Sequence, residues 1–112
     1  MSNAHLQANV FIGPYLKFEQ GGGTFAATTS TLVSGESDAV LIDAQHIRTD
    51  VADLAEFIAR AGKKLTTIYV THGHADHWYG AGDLLATFPD ARVVATGPVV
   101  EYINQAKEVE AQ

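Results

Sequence analysis

The sequence predicts an α/β domain built on one mixed sheet. Three observations carry that expectation. The first third consists of strand-like stretches separated by turns. From Ala39 onward, short apolar runs alternate with helical stripes in the order β-α-β-α-β-α. Finally, 112 residues with 46% hydrophobic and 18% charged side chains suit a single core, burying roughly two-thirds of the unfolded surface.

Each element follows from its residues. Met1-Ser2-Asn3-Ala4 reads as an expression scar, leaving residues 5–112 as the domain, with no linker to divide it. Ala8 to Ile12 is apolar and stops at the turn signal Gly13-Pro14. Tyr15 to Glu19 reads as extended, and Gly21-Gly22-Gly23 as a flexible break. Thr24 to Val33 is rich in Thr, Val and Phe, hence a strand. Ser34 to Asp38 is a polar turn. Ala39 to Ile42 is a continuous apolar run, the pattern of a strand buried on both faces. Asp50 is placed to cap a helix with Asp53 as its partner three residues on. Val51, Leu54, Ala55, Phe57, Ile58 and Ala61 form the apolar stripe of that helix, and Gly62 stops it. Thr66 to Thr71 is a second buried strand, His72 to His77 a polar loop, and Trp78 to Phe88 a helix ended by Pro89. Ala91 to Ala95 is a third strand. Gly97-Pro98 opens a last helix with Val99, Tyr102, Ile103 and Ala106 on its apolar side. Helices between buried strands imply right-handed crossovers where the strands run parallel.

Composition narrows the function. A net charge of −6 disfavours a general nucleic-acid binder. Without cysteine there is no disulfide framework, thiolate metal site or thiol nucleophile. No apolar run approaches the ~20 residues that span a bilayer, and no leader is visible. Nucleic acid and membrane are therefore not expected partners, and the cytoplasm is the expected location. The triple glycine lacks a following Lys-Ser/Thr pair and is not a phosphate loop.

The chemistry concentrates in one place. Three of the five histidines fall in His72-Gly73-His74-Ala75-Asp76-His77, directly after a buried strand. Ligand sites in α/β sheets form beyond the carboxyl ends of strands. Neutral imidazoles and carboxylates are natural ligands of zinc and similar cations. Gly73 lets the chain turn so that His72 and His74 converge on one ion. Asp76 and His77 start the next helix and point toward a second, and Asp76 is also placed to cap that helix.

This stretch resembles the H-x-H-x-D-H motif of the metallo-β-lactamase superfamily. The flanks agree: Thr71 before the motif, Gly80 and Gly82 after it, and Val40-Leu41-Ile42-Asp43 upstream. The resemblance implies an αββα sandwich of two similar halves, this chain being a truncated N-terminal half with helices on one face of its sheet. It further implies that His72 and His74 serve a first metal ion and Asp76 and His77 a second. Zinc is the expected ion, with iron or manganese as alternatives. Later histidines and a bridging aspartate complete such sites, and no histidine follows His77 here. Asp43 is then either the buried aspartate that supports the metal loop or an ordinary strand-end turn residue.

The implied activity of the parent is metal-dependent hydrolysis. Activated water attacks an ester, thioester, lactam or phosphoester of a small-molecule substrate, and Asp76 orients the nucleophile and acts as the catalytic group. The alternatives are an iron-dependent redox member and a non-catalytic structural fragment. The chain alone is expected to be inactive and to form a homodimer through the face that the other half normally covers. Trp78 and Tyr79 are read as core or half-buried before pocket-lining. Gly80 and Gly82 are read as points of close helix approach, and His46 as a surface loop residue, with a place at the site as the alternative.

Overall fold

A computed structural model of the chain describes residues 6–13, 16–17, 24–25 and 28–111, with side chains for 6–13, 28–74 and 77–105. The expected scar, the triple glycine and the side chain of Asp76 lie outside the described residues. The elements run β1 (Gln7–Ile12), β2 (Leu16–Lys17), β3 (Thr24–Phe25), β4 (Thr29–Ser34), β5 (Asp38–Ile42), α1 (Arg48–Arg60), β6 (Lys64–Tyr69), α2 (Ala75–Trp78), α3 (Ala81–Thr87), β7 (Arg92–Val94) and α4 (Gly97–Ala111).

One mixed sheet has the order β1-β4-β5-β6-β7, while β2 and β3 pair separately. The β1–β4 and β4–β5 pairs are antiparallel, and the β5–β6 and β6–β7 pairs are parallel. This is the change of texture at Ala39: hairpin-joined strands before it, helical crossovers after it. Leu32, Ala39, Leu41, Leu65 and Ile68 line one face of the sheet. There they meet Val51, Leu54 and Ile58 of α1 and Ala81 and Leu84 of α3. Phe11 reaches over to Phe57, with ring centroids 5.7 Å apart. Each fully buried Leu or Ile contributes about 1.5–3 kcal/mol.

The faces differ sharply. Val10 and Ile12, on the side away from the helices, are 56% and 62% exposed. Val40 and Ile42 on that side are half-buried, so β5 is fully covered on its helix face only. In β6 the buried residues Leu65 and Ile68 are three apart. An irregularity in the β5–β6 register explains this: Ala39 pairs with Leu65 but Val40 with Thr67, leaving Thr66 as the added residue.

Three expectations are corrected. Helix α1 starts at Arg48 after Ile47, which makes no side-chain cap bond, so Asp50 is not the cap but the third helical residue. Its side chain is turned inward beside Gly13 and is 6% exposed. The helix expected over Trp78 to Phe88 is two helices, because the Gly80 N–H turns away to the Gln45 carbonyl at 2.9 Å. Asp76 is the second residue of α2 and not its cap. Gly62, at φ +69°, ends the α1 turn as the sequence suggests.

Candidate metal centre

The site grows from two chain segments at the carboxyl ends of parallel β5 and β6. The first is the turn Asp43–Gln45. Both Asp43 (φ +66°) and Gln45 (φ +69°) adopt the left-handed conformation without being glycine. Such a conformation costs about 1 kcal/mol or more per residue and persists only where the surroundings enforce it. The second segment is the stretch from Thr71 to His77.

Asp43 joins them. Its Oδ1 accepts the Thr71 backbone N–H at 2.8 Å, and its Oδ2 accepts the Thr71 hydroxyl at 2.8 Å. The same Oδ2 lies 2.8 Å from His77 Nδ1. Proton counting fixes the rest of the network. A carboxylate only accepts, so the neutral His77 ring carries its proton on Nδ1 and its lone pair on Nε2. The single hydroxyl proton of Thr71 is committed to Asp43. Thr71 Oγ1 must therefore accept from His72 Nδ1, 3.0 Å away, which again leaves the lone pair on Nε2. One carboxylate and one hydroxyl thus set the tautomers of two imidazoles. This is the outer arrangement that metal-ligating histidines require. Asp43 has the supporting geometry, with both oxygens engaged by protein donors.

The rings converge. His72 lies 3.7 Å from His77 and 4.9 Å from His74, centroid to centroid. Ligand atoms of Asp43, His72 and His77 fall within 4.8 Å of one another. His72 and His77 are half-buried, and His74 is exposed. The backbone places Asp76 on α2 between His74 and His77. The donor set, two imidazole nitrogens with preset tautomers, fits a zinc-like cation. His46 stands apart from that group; its charge acts instead on Asp50. Burial pushes the Asp50 carboxyl above its ordinary range, Asp53 pushes it further, and His46 partly opposes both.

The surroundings brace the loop. The Trp78 indole N–H donates to the Gly73 carbonyl at 2.8 Å. A side chain at Gly73 would run into the Tyr102 ring of α4. Trp78 is half-buried as expected, whereas Tyr79 is 56% exposed and not a core residue. Both border an apolar groove of about 490 Å³ that continues along Leu85, Val93, Val100 and Ile103. A Cβ at Gly80 would lie 2.5 Å from Val51 Cγ2 and 2.7 Å from the Ala44 carbonyl. The close approach is therefore to the turn at Ala44 and not to the histidine loop. Gly82 faces open space and serves no close approach.

Sequence reasoning missed Gln45 altogether and noted Thr71 only as a flank. The signal for Thr71 was available, since a hydroxyl just before a histidine motif can reach both its own neighbour and the preceding strand end.

Residues 23–112 match the profile of the metallo-beta-lactamase superfamily. A 64-residue stretch, 57% of this chain, is 41% identical to a hydroxyacylglutathione hydrolase of Francisella tularensis subsp. novicida and covers 24% of it. The fold superposes on the DIM-1 metallo-β-lactamase with a TM-score of 0.71 at 18% identity, covering 95% of this chain and 50% of that one. It superposes on a metallo-β-lactamase from Hirschia baltica with a TM-score of 0.69 at 16% identity, covering 91% and 44%. The match thus spans about a quarter of the curated relative and about half of the solved structures. The likeness in structure runs through the mixed sheet and its helices, and the profile takes in both Asp43 and the histidine loop. The chain belongs to the metallo-β-lactamase superfamily.

Proposed function

We propose that residues 5–112 supply the N-terminal, metal-binding half of a metal-dependent hydrolase that acts on a small thioester. The observation that carries the reading is the Asp43–Thr71 network, which gives His72 and His77 the same tautomer, each with Nε2 as its lone-pair atom. A purely structural histidine cluster has no need of matched tautomers. The thioester class is favoured over other esters by the relative from Francisella, named hydroxyacylglutathione hydrolase.

In this reading His72 and His74 hold one zinc ion, and Asp76 and His77 hold a second. Bound zinc supplies Lewis acidity and a water whose pKa falls to about 7. The chain's own contribution is positional. Asp43 keeps the proton of His77 on Nδ1, Thr71 does the same for His72, and Trp78 ties down the carbonyl of Gly73 between the first two histidines. Asp76 orients the attacking water and accepts its proton. The apolar groove beside Trp78 and Tyr79 offers a wall for the non-reacting part of a substrate.

Zinc titration against a chromophoric chelator tests the metal reading. The wild-type chain should bind zinc, and His72→Ala and His77→Ala should each remove one of the two binding events. Zinc binding indifferent to both substitutions overturns the assignment. For the substrate class, the full-length protein loaded with zinc should release thiol from an S-acyl glutathione. No release, with phosphoester or lactam turnover in its place, overturns the thioester reading alone.

A further inference from the structure

Gln45 is 1% exposed, and its side chain reaches Thr28 and Ser30. Its Nε2 donates to the Thr28 carbonyl at 2.7 Å and to the Ser30 hydroxyl at 3.0 Å. The Thr28 carbonyl also accepts the Gly13 N–H at 2.9 Å. A side chain at Gly13 would collide with the Gln45 amide, so the glycine makes room for it. The amide is thus locked into the start of β4 and the end of β1.

The backbone of the same turn bonds to a different segment. Ala44 N–H donates to the His77 carbonyl at 2.8 Å, and the Gln45 carbonyl accepts the Gly80 N–H at 2.9 Å. These two bonds hold the stretch from His77 to Gly80 against the turn. Asp43, two residues before Gln45, makes the third link through the imidazole. A left-handed glutamine has no intrinsic reason to hold φ +69°. The bonds of its amide supply one.

We propose that Gln45 is a positioning residue for the candidate metal centre: its buried amide, anchored on Thr28 and Ser30, holds the left-handed turn so that Asp43 meets His77 and α2 hangs from the turn in fixed register. The proposal rests on the metal reading above for its purpose, but its geometry can be tested without metal.

The test is the imidazole nitrogen spectrum of the metal-free, ¹⁵N-labelled chain. Wild-type His77 should show one tautomer, protonated at Nδ1. Gln45→Gly keeps the left-handed backbone accessible and removes only the anchor. A folded Gln45→Gly chain should show mixed His77 tautomers and bind Co(II) about 10- to 100-fold more weakly. Ser30→Ala, which deletes one of the two acceptors, should move the same signals less far. Wild-type His77 nitrogen shifts in folded Gln45→Gly overturn the proposal. Should that variant not fold, unchanged shifts in Ser30→Ala overturn it, and shifted ones support it. A wild-type chain that fails to bind Co(II) overturns the metal reading instead, while the tautomer result still decides the role of Gln45.

Discussion

Asp43→Asn is the sharpest probe of the network. Asparagine tolerates the left-handed conformation that Asp43 holds at φ +66°, so the backbone is not the variable. The change removes one lone-pair-bearing oxygen and installs an NH₂. With its remaining oxygen on the Thr71 N–H, the NH₂ faces both the Thr71 hydroxyl and His77 Nδ1, two donors that are each 2.8 Å from the present Oδ2. Both must invert. His77 moves its proton to Nε2, and the Thr71 hydroxyl turns toward His72 Nδ1, pushing that proton to Nε2 as well. The nitrogens that would hold metal are then protonated. Bonds to charged groups contribute about 1.5–3 kcal/mol each, and inversion recovers part of two of them, so a stability loss of about 2–3 kcal/mol is expected. Metal affinity should fall about 10- to 100-fold, equivalent to about 1.4–2.8 kcal/mol. Urea unfolding with chelator present gives the first quantity, and competition against a chromophoric chelator gives the second. Unchanged zinc affinity in a folded Asp43→Asn chain refutes the tautomer argument.

Other substitutions have outcomes fixed by the same packing. Gly80→Ala should cost about 3 kcal/mol, because the new Cβ lies 2.7 Å and 2.9 Å from two backbone carbonyls that have nowhere to move. Gly82→Ala, in open space within α3, should stabilise by about 0.5–1 kcal/mol, and urea midpoints for the pair compare the two directly. Asp50 has a folded pKa raised above its ordinary 3.8 by burial, by Asp53 and against His46, so the native state binds the extra proton. Its contribution is fully present below the unfolded pKa and is lost as pH rises through the folded one. Asp50→Asn should therefore raise stability at neutral pH, with the gain vanishing in acid; a gain independent of pH in urea titrations would exclude the charge as its cause.

The parts of this fold that the sequence discloses are those set by local pattern. The stripe Val51–Leu54–Ile58 marks α1 because burial of one helical side repeats along the chain. The histidine spacing marks the site because the ligands come from one short stretch. What escapes is set across distance. The helix break at Tyr79–Gly80 depends on a carbonyl at Gln45, and a glycine alone does not announce which partner draws it out of line. Gln45 reaches Thr28 and Ser30, 17 and 15 residues away, and no propensity assigns a glutamine to a left-handed turn. Asp43 remained ambiguous for the same reason: its partners are 28 and 34 residues downstream, and only the pairing of β5 with β6 brings them near. The sequence marks the start of α1 at Asp50 because aspartate has a capping side chain, but burial beside Gly13 claims that side chain first.

The irregularity at Thr66 carries a consequence of parity. Along a strand, inward and outward positions alternate, so every residue inherits its side from a count of odd and even. Leu65 and Ile68 share the helix face only because one residue is added between them, and Val70 follows Ile68 inward. Deleting Thr66 would leave Leu65, Thr67 and Ile68 in plain alternation, but were Thr66 drawn into the ladder opposite Val40, the count would reverse for everything downstream. Tyr69 would take the inward phase in place of Ile68 and Val70, and Thr71 would leave Asp43 on the far side of the sheet. Thr66 bonds to the Ala39 carbonyl and its neighbour Thr67 and is no part of the histidine cluster. Its place outside the regular ladder nonetheless decides which way the strand delivers the hydroxyl on which two imidazoles depend.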